Sequence, residues 1–93
     1  MGDALSAKVR SRIYFFGSGW KIAESSDPIE NVRDVEVLLE IQGDTKDGYH
    51  LVMSPAGGFT ADYWYASKQE ALTSAFALFG VSSDERSWTT QAR

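Results

Sequence analysis

His50 is the one histidine in a 93-residue chain that has no cysteine, so imidazole chemistry here must pass through it and the carboxylates beside it. Alternating strand residues bring Asp44 and Asp62 into its row, one from each neighbouring strand. A carboxylate on either side tightens an imidazole's hold on its proton, and an Asp-His-Asp row can bind a divalent cation. Cross-strand His–Asp pairing is also an ordinary way to stabilise a solvated sheet face, and this plainer reading takes precedence. A Ser-His-Asp hydrolase is less well supported. The nearest hydroxyl, Thr60, is a diagonal neighbour, and no glycine-flanked nucleophile or donor-rich oxyanion site accompanies it.

Other patterns invite chemistry and have simpler explanations. Glu36 and Glu40 share a strand face with Leu38 between them, whereas a glycosidase pair flanks a cleft. Alternating charge of this kind keeps an exposed strand soluble. The loop Gly43–Gly48 lacks the alternating ligands and terminal glutamate of a calcium loop, and Lys46 fills a ligand position. Gly17-Ser18-Gly19 has neither a third glycine nor a following Gly-Lys-Ser/Thr, so it reads as a hairpin turn. Lys8, Arg10, Arg12, Tyr14 and Phe16 form a basic and aromatic stripe that can touch RNA, although charges that blunt an edge strand are the commoner cause. No cofactor motif is present.

The elements that position these residues follow from periodicity. Val35, Val37, Leu39 and Ile41 alternate with Asp34, Glu36, Leu38 and Glu40, which specifies a strand over 33–41. A three-residue loop at Lys46-Asp47-Gly48 pairs Thr45 with Tyr49, Gly43 with Leu51 and Ile41 with Met53. The same loop type at Pro55-Ala56-Gly57 pairs Met53 with Phe59, Leu51 with Ala61 and Tyr49 with Tyr63. Both turns give one apolar face, and this register sets Asp44, His50 and Asp62 in line. Val9–Phe16 and Trp20–Ala23 make an N-terminal hairpin. Pro28–Arg33 is a helical turn capped by Asp27, or a loop. Ser67 and Glu70 form a capping box for a helix over 68–79 that ends at Gly80, and Ser82 with Glu85 suggests a short turn returning Trp88 to the body.

Composition sets the outer limits. With 43% hydrophobic and 24% charged residues the chain is an ordinary globular one, and its length allows one domain, 1–93, with loose ends at 1–7 and 89–93. The absent cysteines exclude disulfides and thiolate metal sites. The net charge of −4 is uneven: residues 1–23 carry +3, residues 24–48 carry −6 and the remainder −1. Net acidity speaks against nucleic acid. No apolar run is long enough to span a membrane and no signal peptide is evident, so the expected location is cytoplasmic. Trp64 has the parity of the outward face. It is either an exposed interaction residue beside Tyr65, or it is covered by the N-terminal hairpin.

From Asp47 to Trp88, the segments DGYHLV and GGFTADYWY, a Ser-capped helix, FGV and a later Trp resemble a layout found in small bacterial proteins of unknown function. The resemblance implies an α+β fold and a bacterial source, and brings no catalytic residues with it.

The expected architecture is α+β: an antiparallel meander of four to five strands with one C-terminal helix on the face lined by Val35, Val37, Leu39, Leu51, Met53, Phe59 and Ala61. The expected function is a small non-enzymatic module that binds another protein or a second copy of itself. Trp64, Tyr65, Glu36 and Glu40 are the candidate surface. Two alternatives stand beside it. One is an immunity or inhibitor type protein whose acidic segment meets a basic partner, and the other is a metal-dependent or catalytic site at Asp44, His50 and Asp62.

Overall fold

The alternation around Val35–Ile41 belongs to a longer strand. In the computed structural model, which describes residues 4–17 and 19–91, that strand is β3 (Val32–Asp44), antiparallel to an equally long β1 (Ala4–Phe16). Their register runs from Leu5 opposite Ile41 to Tyr14 opposite Val32. Strand β2 (Gly19–Ile22) returns along the far end of β1, while β4 (Gly48–Pro55) and β5 (Ala61–Tyr65) continue the meander from β3. The sheet order is β2-β1-β3-β4-β5, and a sixth strand, β6 (Thr89–Gln91), pairs with the start of β1. Residues 4–7 and 89–91 are therefore strand, where loose ends are expected from the sequence. Ala4, Leu5 and Ser6 are buried because β6 and β3 flank them.

Odd-numbered residues of β1, β3, β4 and β5 share one face. Leu5, Ile13, Val37, Leu39, Ile41, Leu51 and Met53 are buried on it. Helix α1 (Lys68–Phe79) covers this face with Ala71, Leu72 and Ala75. At its start the Ser67 hydroxyl accepts from the Glu70 amide at 3.1 Å, one half of a capping box, and donates to the Glu70 carboxylate at 3.0 Å in place of the reciprocal bond from the Ser67 amide. At its end Gly80 takes φ of 74° and its amide donates to the Phe76 carbonyl. Phe76 itself points outward and is exposed. After the helix, Asp84 rather than Ser82 caps the 3-10 turn Glu85–Ser87. That turn carries Trp88 into the core, 5% exposed, with its indole N–H donating to the Ser82 carbonyl at 2.9 Å. The earlier turn, Ile29–Asn31, begins at Pro28 with no side-chain cap, because Asp27 instead accepts from the Glu24 amide.

Both meander registers differ by two residues from the sequence-based expectation. Gly48 pairs with Asp44, so the loop is Thr45-Lys46-Asp47. The Asp44 carboxylate closes it by accepting from the amides of Lys46 at 3.0 Å and Asp47 at 2.7 Å. Gly48 enters β4 with φ of 89° directly beneath the indole of Trp64, whose Nε1–H donates to the Asp47 carbonyl at 3.0 Å. Between β4 and β5 the loop also takes in Gly58, Phe59 and Thr60. The cause is the N-terminal hairpin, which curls over the apolar face until Trp20 Nε1–H donates to the Phe59 carbonyl at 2.6 Å and the Phe15 ring lies against Gly58. That carbonyl is thereby drawn away from the β4–β5 ladder. A shift of two preserves the parity of every side chain, so the apolar face survives it.

Gly48→Ala is expected to cost about 1–2 kcal/mol from the left-handed backbone alone and more from the collision with Trp64. In a Trp64→Ala background the collision is absent, so urea denaturation of the double-mutant cycle should show a smaller penalty for the same glycine change.

Candidate functional site

The register decides what surrounds His50. Across the outward face one row reads Gln42, His50, Trp64 and the next Glu40, Val52, Asp62. The expected Asp44-His50-Asp62 row does not form, because Asp44 lies two pairs further along, opposite Gly48, and its carboxylate is engaged by the turn. His50 keeps a diagonal contact with Asp62, with Nδ1 3.4 Å from the carboxylate and both side chains about half exposed. Among the described residues no group of three or more His, Cys, Asp or Glu side chains is gathered so as to hold a metal ion.

The charge separation along the sequence closes up in the fold. Because β1 lies against β3, Arg10 stands opposite Glu36 and Arg12 opposite Asp34. Arg10 Nε lies 3.2 Å from the Asp34 carboxylate, and its guanidinium also donates to the Asp34 carbonyl at 2.8 Å. Within the acidic segment, Asp34 is thus paired with the basic stripe of the neighbouring strand, and Glu36 stands across from it. Further along that stripe Tyr14 stacks on Phe16 at 5.5 Å, and the Lys21 ammonium sits 5.6 Å from the Tyr14 ring. Lys21 also bridges Glu24 and Asp27, and these partners raise its pKa. The Asp27 carboxyl lies below its ordinary value, first because it accepts from the Glu24 amide and then because of Lys21.

Trp64 is 57% exposed, since the N-terminal hairpin covers the opposite face of the sheet. Tyr65 has the inward parity; it is half-buried against the core, and its hydroxyl is hydrogen-bonded to Ser74 of α1. It therefore belongs to the helix–sheet seam and not to an exposed surface. Glu36 and Glu40 lie on the Trp64 face but on β3, with β4 between them and β5.

Three residues not singled out for binding surround the β5 edge. Phe59 is 68% exposed, Tyr63 is 55% exposed, and Leu78 projects from the end of α1. With Trp20, Met53 and Phe79 they line an open groove of about 480 Å³ between β2, β5 and the helix C-terminus. The expected register hid this feature, because it pairs Phe59 with Met53 in the core. The signal available in the sequence was the run Phe59–Tyr65, in which four of seven residues are aromatic.

Comparison of the chain with protein-family models, curated proteins and solved structures finds no match.

With only a diagonal, half-exposed carboxylate beside it, His50→Ala should cost under about 1 kcal/mol. Millimolar zinc should leave the thermal midpoint unchanged. A rise that disappears in His50→Ala would reveal an imidazole-centred metal site that this geometry does not supply.

Proposed function

We propose that this protein is a small non-enzymatic module that binds another protein along the free edge of β5. The observation that carries this reading is a strand with one unpaired edge and exposed aromatics on both faces. Strand β5 pairs with β4 alone among the described residues, Trp64 projects from one face and Tyr63 from the other, and Phe59 precedes it. An edge strand offers a row of main-chain donors and acceptors, and native sheets usually blunt such a row with lysine, proline or a bulge. The opposite edge is treated in that way. Where β1 is left open between β2 and β6, Lys8, Arg10 and Arg12 stand along it. Strand β5 has none of these devices and carries residue types that dominate binding hot spots. Strand addition gives affinity through the main chain and selectivity through alternate side chains, which suits a short edge with aromatics above and below.

Tyr63→Lys places a lysine on this edge and should abolish capture of the partner from an extract of the source organism, with far-UV circular dichroism unchanged. Arg10→Glu, on the other edge, should leave capture intact. Loss with Arg10→Glu and retention with Tyr63→Lys would move the interface to β1 and overturn the reading.

A further inference from the structure

The groove and the charges beside β5 specify the partner more closely than the edge alone. We infer that β5 takes up an extended segment of a different protein in which apolar and basic residues alternate, the apolar ones entering the groove and the basic ones lying along the Asp62 face. The inference rests on the edge-binding reading above and adds the chemistry of the incoming strand.

On the inward side, a strand added to β5 would lie beside Tyr63 at the mouth of a groove walled by Phe59, Trp20 and Leu78. Apart from the Tyr63 hydroxyl, the polar side-chain groups there already have partners. The Trp20 indole N–H is given to the Phe59 carbonyl, the Thr60 hydroxyl is bonded to Ser54, and Lys21 is held by Glu24 and Asp27. What remains to be covered is mainly apolar surface, which an aliphatic side chain suits.

On the outward side the same strand would meet carboxylates. Between Gly58 and Glu70 the charged residues are Asp62, Lys68 and Glu70. The Lys68 ammonium lies 3.4 Å from Glu85, so it is already engaged. Asp62 is exposed on the face of Trp64, with His50 Nδ1 3.4 Å away on one side and more than half of its side chain open to solvent, and Asp47 stands in the loop whose carbonyl holds the Trp64 indole. A strand with lysine or arginine at alternate positions complements this field, which favours both encounter and register. A second copy of the chain does not. Its own β5 has no cation, and antiparallel self-pairing would add a second Asp62 to an edge that is already acidic.

The test uses the intact chain and capped synthetic peptides at micromolar concentration, read by amide hydrogen exchange across residues 61–65. A peptide alternating lysine and isoleucine should slow exchange of the β5 amides. Its affinity should fall about tenfold or more in Asp62→Lys, and should also fall in Leu78→Lys, which puts a charge at the groove without altering the strand. The matching glutamate–isoleucine peptide should leave β5 unprotected. Equal protection by both peptides would overturn the basic preference while leaving edge binding in place. Protection by neither, together with a concentration-dependent dimer that Tyr63→Lys dissolves, would replace the foreign strand with a second copy.

Discussion

Strands β1 and β3 pair along nearly their whole lengths, from Leu5 opposite Ile41 to Tyr14 opposite Val32, and every other element is placed by that ladder. Strands β2 and β6 occupy the two ends of the free side of β1, while β4 and β5 extend from the free side of β3. The helix then needs the apolar face that these strands build together. Its own buried residues, Ala71, Leu72 and Ala75, are few and mostly small, so a lone α1 has little to hold it. The central pairing joins residues far apart in the chain. Such contacts must overcome loop-closure entropy before packing rewards them, and they place this fold among the slower-folding topologies.

The same ladder settles the electrostatics. Along the chain, a basic beginning and an acidic middle look like a dipole awaiting a partner. In the sheet they are neighbours, and Arg10 meets Asp34 across the strand boundary. Exposed pairs of this type contribute little stability each. Their larger effect is on register, since a slip of one pair would turn the cations toward the apolar face. At the other end of the sheet, Asp62 is an exposed carboxylate on β5.

Much of this arrangement is legible in the sequence because it depends on period and parity. The helix bounds, its Ser67 cap, the αL glycine and the membership of the apolar face, Phe59 excepted, all follow from spacing. The registers do not, because they depend on which of several turn devices prevails. Asp44 has a carboxylate that closes a turn by itself, and this outcompetes a turn built on Gly48 at the left-handed position. Phe59 is drawn out of the ladder by an indole thirty-nine residues earlier in the chain, a contact that no local pattern encodes. The His50 row failed for the first of these reasons and the groove was missed for the second. Tyr65 does not share the Trp64 surface, because adjacent strand residues necessarily face opposite sides.

Each of the three tryptophans donates its indole N–H to a main-chain carbonyl: Trp20 to Phe59, Trp64 to Asp47 and Trp88 to Ser82. Each acceptor lies outside a regular element, so each indole ties down a connection that the sheet ladder leaves loose. The three rings also sit in graded surroundings, from solvent-facing Trp64 through half-buried Trp20 to enclosed Trp88. The intrinsic emission of the protein is consequently a composite of a red-shifted, an intermediate and a blue-shifted fluorophore. Quenching by neutral acrylamide will act first on the indole at the β5 edge, so the molecule carries its own optical label for that edge.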